Sequence, residues 1–148
     1  MTSFKYNDGG RAEAGYKGTT GDCVTRAVAI AAALPYKKVY DQLAEGNATQ
    51  RTTKNSSKSS GKKTARNGID TRRKWFKDYM KSLGFKWTPT MGIGTGCKVH
   101  LTANELPKGT LICSVSRHIT TVVDGVINDT YDCSRDGTRC VYGYWTKD

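Results

Sequence analysis

Cys23 stands in Gly21-Asp22-Cys23-Val24-Thr25-Arg26-Ala27, where a turn is expected to end and a helix to begin. Backbone N–H groups at a helix N-terminus carry partial positive charge, which favours a thiolate over a thiol. A thiolate attacks carbonyl carbon; a thiol does not. His118 and Asp129 follow Cys23 in the chain, in the order nucleophile, base, orienting acid. Together the three residue types suit nucleophilic acyl chemistry, in which an imidazole takes the thiol proton and a carboxylate holds the imidazole.

The local pattern around His118 shows which acid can reach it. Asp124-Gly125 lies between Thr121-Val122-Val123 and Val126-Ile127-Asn128, a strong signal for a two-residue hairpin turn. With those two residues as the turn, Val123 faces Val126, Thr120 faces Asp129 and His118 faces Tyr131. Side chains alternate along a strand, so His118, Thr120, Asp129 and Tyr131 share one face. His118 and Asp129 are then diagonal neighbours, with backbones about 7–8 Å apart and side chains able to meet. Asp124 lies in the turn, and Asn128 and Asp132 point to the opposite face, so they are poorer partners.

The elements that must carry these residues are legible in outline. Residues up to Thr20 are Gly-rich and polar and read as loop. Cys23 to Leu34 is Ala-rich, with Val24, Ala27, Val28, Ala31 and Leu34 at helical spacing, so a buried helix capped by Asp22 is expected. Pro35 opens a second helix to about Glu45, with Tyr36, Val39, Tyr40 and Leu43 on one face. Thr71 is expected to cap a third helix, stopped near Leu83 by Gly84. Its stripe of Trp75, Phe76, Tyr79, Met80 and Leu83 suits core packing better than base stacking. Strands are expected at Phe85–Thr88, Lys98–Leu101, Thr110–Ser116, Ile119–Val123, Val126–Thr130 and Arg139–Trp145. Helices followed by a run of strands predict an α+β chain, with N-terminal helices on a C-terminal antiparallel sheet.

The chain has 148 residues and a net charge of +11, a length that suits one domain. The charge is concentrated. Between Gly46 and Lys86 twelve Lys and Arg stand against Asp70 and Asp78, while the rest of the chain is nearly neutral. Residues 46–70 are polar and basic with little to bury, so a mobile basic insertion is expected there. Lys58, Lys62, Lys63, Arg72 and Arg73 are the candidate contacts for nucleic acid or another polyanion through phosphates, since no base-reading motif is present. No apolar run reaches about 18 residues, which argues against a membrane span. The first residues lack the apolar core of a signal peptide. With five widely spaced cysteines, reduced thiols in a cytoplasm are expected.

The order of a helix-borne Cys, a hairpin-borne His and an Asp on the next strand resembles the papain-like cysteine hydrolases in their small bacterial forms. Gly-Asp-Cys-Val-Thr-Arg-Ala, Lys-Trp-Phe-Lys-Asp-Tyr, Gly-Cys-Lys-Val-His-Leu and the segment Arg117 to Asp132 also resemble a group of small phage and bacterial proteins, a likeness that runs along nearly the whole chain but implies no activity. The papain-like resemblance implies Cys23 as nucleophile, His118 as general base and then acid, and Asp129 as orienting acid, acting on a peptide, amide or other acyl substrate. The phage likeness implies a host cytoplasm or a virion as location. Papain-like peptidases usually carry a Gln six residues before the Cys as oxyanion donor; Lys17 stands there instead. The Cys23 N–H is one donor, and Lys17, Tyr16, Asn7 and Thr20 are candidates for the second.

No cofactor is expected, and no metal. A zinc set drawn from Cys97, His100, Cys133 and Cys140 has a pair spaced more widely than the usual knuckle of about two to four residues. Gly92-Ile93-Gly94-Thr95-Gly96 lacks the helix and Lys-Ser/Thr of a phosphate loop, and His100 reads as structural. The alternative to a hydrolase is a non-enzymatic binding or assembly protein on the same scaffold, with residues 46–86 contacting nucleic acid or an acidic partner.

Overall fold

The computed structural model describes residues 3–15, 22–48, 71, 73–91 and 96–147. Its elements in chain order are β1 (Ser3–Tyr6), α1 (Cys23–Ala32), α2 (Tyr36–Ala48), α3 (Lys74–Ser82), β2 (Phe85–Pro89), β3 (Thr110–Val115), β4 (His118–Val123), β5 (Val126–Asp129) and β6 (Gly143–Lys147). The chain is α+β, as expected, and no described helix is long and apolar enough to cross a membrane. The described residues fall into two compact units, one helical (residues 9–83) and one built on the sheet (residues 1–8 with 84–148).

In the helical unit, six consecutive residues of α1, Val24 to Ala29, are buried. Their composition allows it: small and β-branched side chains leave few polar atoms to satisfy. The helix ends at Ala33, whose φ of 56° is left-handed, and Leu34 N–H closes the turn on the Ala29 carbonyl at 3.1 Å. Pro35 then starts α2, which buries Tyr36, Val39, Leu43 and Ala44. In α3 the expected stripe packs inward, with Phe76 and Met80 fully buried, and Gly84 (φ 90°) stops it. Arg73, not Thr71, occupies the N-cap position, with extended backbone and no side-chain cap.

The expected cap of α1 is also different. The Asp22 side chain makes no cap hydrogen bond. It is buried and accepts instead from the Arg26 guanidinium and the Tyr36 hydroxyl, with Arg11 Nε 3.1 Å away. The charge-assisted bond from Arg26, with the Arg11 charge beside it, outcompetes the helix N–H groups for a buried carboxylate, because such bonds are the stronger. Burial first, then the bond to Asp22, pushes the Tyr36 hydroxyl well above the usual tyrosine range.

The sheet has six strands in the order β1-β5-β4-β3-β6-β2. It is mixed, not antiparallel throughout, because β1 pairs parallel with β5. β1 lies in a segment expected to be loop: its four residues are all exposed, so no buried face betrays it in the sequence. Lys98–Leu101 contributes a single bridge, His100 to Cys140, rather than a strand, and the last strand begins at Gly143 rather than Arg139. One face of the sheet places Leu111, Cys113, Val115, Val122 and Ile127 with Leu101, Leu106, Cys133 and Val141 in a buried cluster.

Candidate functional site

The hairpin that carries His118 forms in the expected register. Val123 pairs with Val126, Val122 with Ile127 and Thr121 with Asn128. Asp124 and Gly125 have φ of 48° and 82°, the two positive values that a tight hairpin turn of this class requires. The Asp124 carboxylate is occupied in the turn, accepting from Gly109 N–H at 2.8 Å. On the other side, β3 pairs with β4 through the two-residue connection Ser116-Arg117, which places His118 opposite Val115.

Parity alone put His118 and Asp129 on one face, and there they meet. His118 Nε2 lies 2.8 Å from Asp129 Oδ2. The same oxygen accepts from the Thr120 hydroxyl at 2.7 Å, while Oδ1 accepts from Thr130 N–H at 2.7 Å. Burial by itself would raise the Asp129 pKa. The bonds from His118 and Thr120, the charge of His118 and the Thr130 N–H outweigh it and hold the carboxyl below its usual range. An ionised Asp129 is an acceptor only, so Nε2 carries the proton it shares with Oδ2, and when the imidazole is neutral its lone pair is on Nδ1. The Tyr131 ring, half exposed, leans on His118 with 5.4 Å between centroids.

The backbone around this pair is anchored twice. Asn7 N–H donates to the Asp129 carbonyl at 2.8 Å, so the end of β1 fixes the end of β5. Arg139, buried, donates to the carbonyl of Ser116 in the turn before His118 and to that of Cys133 at 3.2 Å. The sequence suggests Cys133 only as a member of the zinc set with Cys97, His100 and Cys140, and gives no sign of Arg139 as a contributor. Cys133 is fully buried four residues after Asp129, with its sulfur 3.8 Å from Asp129 Oδ2. His118, Asp129 and Cys133 offer three ligand atoms within 4.8 Å of one another. The spacing of Asp129 and Cys133 was the available signal, but neither helix nor strand periodicity joins them.

Cys23 is the first residue of α1, half-buried and outside any disulfide. It belongs to the helical unit, and His118 and Asp129 to the sheet unit. Of the other candidates, the Asn7 amide donates to the Asn128 side chain at 3.3 Å. Arg73 precedes α3, in which Lys74 pairs with Asp78 at the surface. Tyr16, Lys17, Thr20, Lys58, Lys62, Lys63 and Arg72, most of the basic segment 46–70 and most of the loop 92–96 lie outside the described residues.

Reduced thiols were expected throughout, yet Cys97 and Cys140 are joined in a disulfide across 43 residues of sequence. The bridge between His100 and Cys140 aligns the two segments, with Leu101 N–H on the Arg139 carbonyl and Val141 N–H on that of Val99, each at 2.8 Å. Sequence spacing carries no record of that alignment. It also removes two sulfurs from the zinc set considered above. His100 has a structural partner in Glu105 at 3.1 Å, a bond that draws the Glu105 carboxyl below its usual range.

Among known proteins, no family model, no curated sequence and no solved structure matches this chain.

Proposed function

We propose that the chain is a papain-like cysteine hydrolase or acyl transferase of one domain, with Cys23 as nucleophile, His118 as general base and then acid, and Asp129 as orienting acid. The observation that carries this reading is the part-buried His118–Asp129 hydrogen bond, which holds the imidazole in the tautomer a base needs. Cys23 supports it from the other unit, half-buried at the first position of a helix.

His118 Nδ1 takes the Cys23 proton, and the thiolate adds to the acyl carbon of an amide. The C–N bond then breaks, the amine leaves with the proton from the imidazolium, and a thioester remains. Water or another acceptor gives its proton to Nδ1, attacks the thioester and releases the thiolate. Asp129 keeps its charge throughout and stabilises the imidazolium.

The test is labelling by an electrophilic thiol probe near neutral pH, followed by mass spectrometry. Cys23 labels faster than Cys113 and Cys133, and His118→Ala slows it. Equal rates at the three thiols, or a rate at Cys23 indifferent to His118→Ala, would sink the assignment. The basic segment 46–86 is a second feature of the same protein, a contact for nucleic acid or an acidic partner. Exposed Lys77 and Lys81 on α3 support that reading. It predicts binding to duplex DNA that weakens steeply with salt; binding indifferent to salt contradicts it.

A further inference from the structure

We propose that His118, Asp129 and Cys133 form a site for a borderline-soft divalent cation, Zn²⁺ foremost, and that occupying it excludes the use of His118 as a base. The donor set is one imidazole nitrogen, one carboxylate oxygen and one sulfur, gathered within 4.8 Å. Nitrogen and sulfur together select zinc over magnesium or calcium, which prefer all-oxygen shells.

The distances show what must move to admit the ion. A tetrahedral zinc with bonds of about 2.0–2.3 Å holds its ligand atoms about 3.3–3.6 Å apart. Asp129 Oδ2 stands 2.8 Å from His118 Nε2 and 3.8 Å from Cys133 Sγ. Admitting the ion therefore opens the first gap by about half an ångström and closes the second by a few tenths. The separation of His118 from the Cys133 sulfur, which lies within the 4.8 Å span of the set, closes by up to about an ångström. Rotations of the His118 and Cys133 side chains are what the site asks for on binding. The ligands also have the outer partners that metal sites use to orient them. Thr120 and the Thr130 N–H bind the Asp129 carboxylate, and Arg139 holds the Cys133 carbonyl. Three protein ligands leave a fourth position for water, the pattern of an open rather than a closed zinc site. His118 is the least buried of the three, so it lies on the solvent side of the cluster.

Proton positions make the two uses exclusive. Binding releases the Cys133 proton to solvent and needs the Nε2 lone pair, so the imidazole proton moves from Nε2 to Nδ1. A protonated Nδ1 cannot accept a proton from Cys23. Binding of the ion stands independently of the proposed hydrolase; the block on Cys23 rests on it.

The full chain, stripped of metal by dialysis against a chelator, is titrated with Zn²⁺ in competition with a chromophoric chelator, and with Co²⁺ by absorption. One equivalent binds, and the cobalt form shows a thiolate charge-transfer band. Cys133→Ser abolishes the band and lowers affinity by more than about a hundredfold, the upper cost of losing even an outer partner. Cys23→Ser leaves both unchanged. Zinc X-ray absorption on the unmutated chain reads the ligand set without any variant, and one sulfur with one imidazole supports the site. Two sulfurs, no sulfur, or a band that survives Cys133→Ser and disappears in Cys23→Ser would overturn it. Zn²⁺ also slows labelling of Cys23. A bound ion that leaves Cys23 labelling unchanged overturns the exclusivity. Absence of binding in a protein whose Cys23 still depends on His118 overturns the metal site and leaves the hydrolase standing.

Discussion

Replacing Asp129 by Asn separates what the carboxylate does for the fold from what it does for His118. Asp129 accepts three N–H and O–H hydrogen bonds on two oxygens, from His118 and Thr120 on Oδ2 and from Thr130 N–H on Oδ1, beside a weaker one from the Cys133 thiol on Oδ2. An amide has one oxygen to offer. With that oxygen at the Oδ2 position, its NH₂ group faces the Thr130 N–H, two donors in contact. Turned round, the oxygen satisfies Thr130 and the NH₂ group meets His118 Nε2 and the Thr120 oxygen. That second arrangement keeps all three of these bonds, and gives up only the weak thiol contact, if the imidazole moves its proton to Nδ1 and the hydroxyl rotates, so it wins. Each bond falls from charge-assisted to neutral, a loss of about 1 kcal/mol apiece, or about 3 kcal/mol in all before relief of the buried charge is counted. The protein therefore stays folded with a lowered denaturation midpoint. The base, however, now carries its proton on the wrong nitrogen. General-base assistance contributes about 10²–10⁴-fold, and the labelling rate of Cys23 near pH 6 is expected to fall by that order. The assay pairs this rate with ¹⁵N NMR of the His118 ring, which reports the protonated nitrogen. A variant with an unmoved tautomer, or with wild-type Cys23 reactivity, refutes the reasoning.

Three other outcomes are expected. Reducing the Cys97–Cys140 disulfide opens a crosslink spanning 43 residues, for which chain entropy sets a stability loss of up to about 4 kcal/mol; an unchanged urea midpoint would show the crosslink to be dispensable. Gly46→Ala brings a Cβ within 2.3 Å of the Trp75 ring. The helix-propensity gain of about 1 kcal/mol is outweighed by an overpacking cost of about 1–3 kcal/mol, so the variant melts lower. Burial first, then the nearby Cys133 thiol, pushes the Cys113 thiol up to about 12, so it resists alkylation at pH 8 in the folded state. Stability from keeping that thiol neutral is complete below about pH 9 and is lost as pH rises towards about 12. Cys113→Ala accordingly flattens the alkaline limb of the stability curve.

What was legible in the sequence was whatever depends on near neighbours. The helical stripes that bury Val39 and Leu43 in α2, and Phe76 and Met80 in α3, are set by residues three and four apart. The helix stop at Gly84 needs only its own positive φ. Most useful for the site, Asp124-Gly125 defines a turn, the turn defines the register, and a period of two then selects Asp129 from several acids near His118. No tertiary information enters any of those steps.

What escaped depends on partners far along the chain. β1 exists because β5 offers it an edge more than a hundred residues later, and its four exposed residues carry no buried pattern. Asp22 reads as a cap, yet Arg26, Tyr36 and Arg11 draw its carboxylate away. Cys97 and Cys140 pair because a backbone bridge at His100 aligns them. Cys133 joins His118 and Asp129 only because Arg139 and the sheet cluster hold the loop after β5 in place. By itself the sequence determined that an imidazole and a carboxylate share one face of a hairpin, since strand parity is a local property. Only the tertiary structure decided that a thiol, Cys133, stands beside them, because packing rather than periodicity places loops.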